Sequence, residues 1–183
     1  MSPVSPLAAL VGDSPAMQEV REELPLVASS ACSVVVRGEP GTGRELVARL
    51  VHRLSERADG PLVRCNCSTL PDAALEPCLF GSIDGARPGR ISAADGGSLL
   101  IKQVEQLPPH LQLKLVQLIE ERHFEPEGAL RPVPADVRVI AVSDRDLERE
   151  VARGRFRRDL LLRIQVIEIV LPPLRERRED IEA

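Results

Sequence analysis

The sequence predicts an α/β fold built on a mostly parallel sheet, and three observations lead there. Short, almost wholly apolar runs recur along the chain, as strands buried on both faces do. Between them lie stretches whose apolar residues fall at helical spacing. The first apolar run, Ser33-Val34-Val35-Val36, leads into a glycine-rich turn, and a helical pattern follows at once.

Taken in order, residues 1–10 are rich in Pro, Ser and Ala and read as a flexible lead-in. Ser14-Pro15 has the form of a helix start, a capping hydroxyl before Pro at the first helical position. Met17, Val20, Leu24 and Val27 continue that helix, and Pro25 predicts a kink or break in it. After the first strand, Leu46, Val47, Leu50, Val51 and Leu54 give one helix face. Residues 62–65 read as a second strand and residues 73–79 as a short helix. Residues 80–97 carry five glycines and no long apolar run, which predicts a long loop of functional kind. Residues 98–101 read as the third strand, and Leu111, Leu115, Leu118 and Ile119 as the next helix face. A fourth strand is expected at 137–142, helices at 147–153 and 157–164, and a fifth strand at 166–170, closed by Pro172-Pro173.

Composition narrows the function. The 183 residues are 43% hydrophobic and 28% charged, enough for one real core and unlike a disordered chain. No stretch approaches the roughly 20 apolar residues of a membrane helix, and Met1-Ser2-Pro3 lacks the basic start of a signal peptide. A cytoplasmic protein without membrane contact is expected. The formal charge of −4 argues against direct nucleic-acid contact by this domain. Cys32, Cys65, Cys67 and Cys78 lack zinc-ligand spacing and read as reduced thiols, so no metal site is expected. All but two of the 24 basic residues are Arg, the exceptions being Lys102 and Lys114.

The turn itself reads Gly38-Glu39-Pro40-Gly41-Thr42-Gly43-Arg44-Glu45. Its spacing is that of a Walker A phosphate loop, with Arg44 in the Lys position and Glu45 where most such loops carry a magnesium-binding Ser or Thr. Glycines let the backbone N–H groups turn inward around a phosphate, and the following helix adds its positive end. Arg44 keeps the charge but presents it as a wider planar fork.

From Leu10 to the last residue the chain resembles the AAA+ central domain of bacterial enhancer-binding proteins, the activators that remodel sigma-54 RNA polymerase. Residues 38–48 resemble that family's phosphate-loop signature, and residues 11–17 its opening motif. Asn66-Cys67, Leu79-Phe80-Gly81, Ala94-Asp95-Gly96-Gly97, residues 156–160 and residues 171–177 match further blocks in order. The resemblance implies a three-layer P-loop NTPase α/β subdomain with a mostly parallel five-stranded sheet. It places that subdomain at 11–172 and the start of a linker to a helical lid, absent here, at 173–183.

The departures from the family pattern fall on its working parts. In the family the third strand ends in an Asp-Glu pair that holds magnesium and polarises water; here those positions are Lys102 and Gln103. An ammonium cannot ligate a metal, and an amide cannot act as a base. The sigma-54 contact motif, Gly-Ala-Phe-Thr-Gly-Ala in the family, is Gly85-Ala86-Arg87-Pro88-Gly89-Arg90 here. The Asn that senses the terminal phosphate is replaced by Asp144, a carboxylate that Arg44 or Lys102 could offset. Arg157 and Arg163 match the family's arginines that reach a neighbouring subunit's nucleotide.

The expectation is therefore a degenerate domain of a transcriptional regulator. It would accept ATP or ADP without magnesium, fail to hydrolyse it, and have lost the usual sigma-54 contact. Its partners would be proteins, either transcription machinery or a related AAA+ regulator, in a homo- or hetero-oligomer. Two other readings stand beside this one: a nucleotide-free interaction module on the same fold, and an active ATPase using substitute residues. Lys102 is expected either to take the metal's place beside phosphates or Asp144, or to pair with Asp144 or Glu105 and close an empty pocket.

Overall fold

The computed structural model describes residues 6–82 and 88–181. Five parallel strands form the central sheet in the order β2 (Leu62–Asn66), β3 (Ser98–Lys102), β6 (Arg138–Ser143), β1 (Val34–Gly38), β7 (Ile167–Leu171). A two-residue antiparallel pair, β4 (His123–Phe124) with β5 (Val133–Pro134), stands apart and has no sequence signal. The valine and leucine runs read as doubly buried strands are just that. Val35, Leu99, Ile101, Val139 and Ala141 face one layer of helices, while Val34, Val36, Leu100, Ile140 and Val142 face the other. Strand period two thus sends successive residues of one apolar run into two different cores.

One outer layer is α1 (Pro15–Ser29) and α2 (Arg44–Arg53), packing Met17, Val20, Leu24, Val47, Leu50 and Val51 on the sheet. The other holds α3 (Asp72–Phe80), α4 (Arg90–Ala93), α5 (Pro109–Glu121) and α7 (Arg158–Ile164). The short α6 (Leu147–Ala152) packs on α7, and Asp146 caps it by accepting the Arg149 N–H. Of the lead-in, Pro6–Ala9 forms a 3-10 turn, and Leu7 and Leu10 pack on the α1–α2 layer.

Three local expectations are corrected. First, α1 runs unbroken through Pro25. Proline in a helix interior costs about 3 kcal/mol or more, yet Leu24, Val27 and Ala28 on either side of it are buried, and that packing holds the helix. Arg138, 2% exposed, then satisfies the helix end by donating to the Val27, Ala28 and Cys32 carbonyls. Second, Ser14 does not cap α1. Its N–H and hydroxyl both donate to the Asp180 carboxylate, at 2.8 and 2.7 Å, joining the start of α1 to the segment after β7. Third, residues 80–97 are not one loop: α3 extends to Phe80, and α4 forms inside the stretch because Ile91 and Ala94 are fully buried.

Gly97 lies where β3 starts beside the chain entering β2. A Cβ there would stand 2.1 Å from the Pro61 carbonyl oxygen, which already accepts the Ser98 N–H. Gly97→Ala is therefore expected to lower stability by about 1–3 kcal/mol, as overpacking does. Thermal or urea unfolding of the two proteins checks it, and equal midpoints would refute it.

Candidate functional site

Parallel register brings the C-terminal ends of three strands to one edge. Gly38 ends β1, Lys102 ends β3 opposite Val142, and Ser143 ends β6 opposite Arg37. In open parallel sheets, ligands bind in the crevice beyond those carboxyl ends. The sheet edge thus gathers the phosphate loop, Lys102-Gln103 and Ser143-Asp144, three segments far apart in sequence.

The loop from Gly38 to Glu45 has the backbone that its glycines predict. Gly41 and Gly43 sit at φ 86° and 96°, in the left-handed region that favours glycine. Gly43 is the N-cap of α2, and no side chain caps that end. The first-turn N–H groups of α2 are left to an outside acceptor. Thr42 fixes the loop instead, donating from both its N–H and its hydroxyl to the Glu39 carbonyl.

Charge surrounds this turn. Arg44 Nη2 lies 3.9 Å from an Asp144 oxygen, while its Nη1 is buried with no partner. Arg177, 9% exposed, donates from Nη2 to the Thr42 carbonyl at 3.3 Å, and its Nε is likewise buried and unpartnered. Arg175 clasps Glu39 through both terminal nitrogens at 2.6 and 2.7 Å, which holds the Glu39 carboxyl below its usual range. A cavity of about 340 Å³ opens between this part of the loop and the chain after β7.

Lys102 pairs with neither Asp144 nor Glu105, the two partners expected for it. Its ammonium is 2.6 Å from Glu45 Oε2, and Arg64 reaches the other Glu45 oxygen at 3.2 Å. The Lys102 bond, then Arg64, hold the Glu45 carboxyl below its ordinary value of 4.5. The reason is topological: β2 and β3 are neighbours, so Arg64 and Lys102 both lean toward the first turn of α2. Gln103 follows at φ 53° and turns the chain into a 3-10 segment, Val104–Gln106.

Glu105 was foreseen only as an ion-pair partner. It is 7% exposed, and both of its oxygens are enclosed without a well-aligned hydrogen bond, the Ser143 hydroxyl and its own backbone N–H lying nearby. Burial pushes its carboxyl up, and Asp144 adds to the shift. The nearby Ser143 hydroxyl already donates to the Arg145 carbonyl.

The remaining expected residues lie elsewhere. Arg157 closes an ion pair with Asp159 at 2.6 Å, and Arg163 one with Glu120 at 2.5 Å, so each arginine is tied within its own chain. Gly85, Ala86 and Arg87 lie outside the described residues. Pro88 is exposed, and Gly89 packs so closely that a Cβ would stand 2.4 Å from the Gly81 nitrogen. Arg90 turns inward, donating to the Cys78 sulfur at 2.9 Å and to the Arg64 carbonyl. Among the described residues, no group of three or more His, Cys, Asp or Glu is arranged to hold a metal ion, and no helix is long and apolar enough to cross a membrane.

A family profile described as the Sigma-54 interaction domain matches residues 10–170. The chain is 46% identical over 188 residues to a Nif-specific regulatory protein of Rhodobacter capsulatus, covering 99% of this chain and 32% of that protein. It is 44% identical to the transcriptional regulatory protein ZraR of Salmonella typhimurium, covering 94% of this chain and 41% of that one. The chain thus spans about a third of the first relative's length. Among solved structures, NtrX from Brucella abortus in complex with ATP superposes with a TM-score of 0.90 at 37% identity, over 94% of this chain and 40% of NtrX. NtrX in complex with ADP gives 0.91 at the same identity and coverage. The architecture is that of α/β P-loop NTPases of the AAA+ type.

Glu105 supplies a test of the buried carboxylates. A carboxyl whose folded value is raised favours the folded state while protonated. That contribution is present below the unfolded value of 4.5 and is lost as pH rises through the folded value. Glu105→Gln removes the buried charge, so it is expected to stabilise the protein by about 1–3 kcal/mol at pH 8 and to change little near pH 4.5. Thermal melts across that range check it, and a pH-independent effect would contradict the burial argument.

Proposed function

Because the chain belongs to the sigma-54 interaction domain family of bacterial transcriptional regulators, we propose that its phosphate loop holds ATP or ADP without magnesium and does not hydrolyse it. The observation that carries this reading is the Lys102–Glu45 ion pair at 2.6 Å. It sets an ammonium at the strand end where the family pattern has a metal-binding carboxylate, and it engages the one acidic side chain in the first turn of α2. The residues present do not fit magnesium. Gln103 offers no base to activate water.

They do fit phosphate. Around the loop, Arg44, Arg64, Lys102, Arg175 and Arg177 face Glu39, Glu45 and Asp144, with Glu176 beside Arg175 and Asp180 near Arg177. Arg44 Nη1 and Arg177 Nε are buried donors with nothing to bind, and buried polar groups are normally satisfied. A bound triphosphate would supply the negative charge these donors lack. The loop N–H groups between Gly41 and Glu45 would hold it, with Arg44 and Arg177 fixing its orientation. Asp144, turned toward Arg44, opposes a terminal phosphate unless that pairing persists.

In this reading the domain is a nucleotide-responsive part of a cytoplasmic regulator, spanning 11–172, with 173–183 leading toward a lid subdomain. Its partner is a protein, transcription machinery or a related AAA+ chain, in a homo- or hetero-oligomer. Arg87-Pro88 in place of the family's Phe-Thr removes the usual sigma-54 contact. One observation favours a second reading, a nucleotide-free module: Arg44–Asp144, Lys102–Glu45 and Arg175–Glu39 already close the pocket with the chain's own charges.

Calorimetric titration with ATP separates the readings. The expected result is an affinity in chelator within about twofold of that in magnesium, a difference under ~0.5 kcal/mol. Lys102→Ala, which leaves Glu45 facing the phosphates, is expected to weaken binding about tenfold, or ~1.4 kcal/mol. Phosphate release should not exceed the blank. Binding that requires magnesium, or turnover lost on mutating Arg44, would refute the proposal. No binding at all would leave the closed-pocket module.

A further inference from the structure

Away from the phosphate loop, three of the four thiols meet. Cys65, on β2, and Cys67, just past its end, point into the same core, at 1% and 3% exposure. Cys65 packs in this core with Leu75 and Leu79 of α3, the helix that carries Cys78, and its thiol lies close enough to Cys67 and Cys78 to feel both. Arg90, from α4, binds this cluster: its Nε donates to Cys78 Sγ at 2.9 Å, and its Nη1 to the carbonyl of Arg64, the residue before Cys65. One guanidinium therefore holds α3 and β2 together at the place where their two thiols approach. Cys78 is partly exposed and lines a cavity of about 650 Å³ with Leu70, Pro77, Pro88 and Arg90.

We propose that Cys65 and Cys78 form a peroxide-responsive dithiol, reduced in this structure, that closes to a disulfide across α3 and β2 beside Arg90 of α4. Neither the family reading nor the nucleotide site requires it. Hydrogen peroxide is the oxidant. The Cys78 thiolate attacks one peroxide oxygen, the O–O bond breaks, an S–O bond forms, and the leaving hydroxide takes a proton to become water. The Cys65 thiolate then attacks the Cys78 sulfur, the S–S bond forms, and the sulfenic oxygen leaves as a second water. Two thiols and one peroxide give one disulfide and two waters.

The environment assigns the roles. Cys78 is the partly exposed one of the three. Cys65 is enclosed, and its value is drawn down to about 7, first by its bond from Cys67, then by Arg90 and Cys78, which suits it as the attacking second thiolate. Cys67 is pushed the opposite way, first by Cys65 and then by burial, and stays a thiol.

The test treats the reduced chain with hydrogen peroxide, counts free thiols after denaturation, and maps the linkage by mass spectrometry. Trypsin with cleavage before Asp72 separates the Cys65–Cys67 peptide from the Cys78 peptide. Expected are a fall from four free thiols to two, one intramolecular link to Cys78 that survives Cys67→Ala and Cys32→Ser, and full reversal by dithiothreitol. Cys78→Ser and Cys65→Val should abolish the link, and Arg90→Gln should slow it severalfold; circular dichroism melts confirm that each variant folds. Should a serine or valine variant not fold, the linkage map of the parent and of Cys67→Ala decides alone. A Cys65–Cys67 bridge, oxidation confined to the exposed Cys32, or four thiols surviving peroxide would overturn the proposal.

Discussion

The register of the central sheet is the constraint on which everything else here depends. Because β1, β3 and β6 run parallel and in step, Gly38, Lys102 and Ser143 finish at one edge. Parallel strands need cover on both faces, and the alternation of Val34, Val35 and Val36 between two cores supplies it. A slip of one residue in any strand would exchange its two faces and carry its terminal polar residue away from the phosphate loop. The fold and the site are therefore fixed by the same apolar alternation.

At that edge, Lys102 and Asp144 come with opposite charges beside them. Lys102 meets Glu45, and Asp144 meets Arg44. Partly exposed pairs of this kind add little stability, about 0–1 kcal/mol each. Their consequence lies in the field. The Lys102 ammonium sits at the end of β3 beside Glu45, and the Asp144 carboxylate lies beside the Arg44 guanidinium. Arg44 Nη1 and Arg177 Nε are both buried and unpartnered.

The opposite outer layer shows how one side chain can couple elements. Arg90 lies in the stretch corresponding to the family's sigma-54 motif, yet it turns inward to Cys78 and the Arg64 carbonyl. Arg64 in turn extends to Glu45 at the phosphate loop. A continuous set of contacts thus runs from α4 through β2 to the first turn of α2. It places the thiol cluster and the phosphate loop at the two ends of one strand's contacts.

Much of this was legible in the sequence, because it rests on local rules. Short continuous apolar runs located the five sheet strands, and apolar residues at helical spacing located the main helices. Glycine at 41 and 43 announced the left-handed turns of the phosphate loop, since few other residues adopt them. What only the tertiary structure decided were choices among long-range partners. Pro25 did not break α1, because burial of Leu24 and Val27 outweighs a local penalty. Ser14 bonded Asp180, 166 residues away, rather than its own helix. Lys102 chose Glu45 over Asp144 and Glu105, and Cys65 met Cys78. In each case sequence spacing shows that a charge, hydroxyl or thiol is present. Only the packing of β2, β3, α2 and α3 brings the second group within bonding distance, and hydrogen bonds and ion pairs form at three ångströms whatever the separation along the chain.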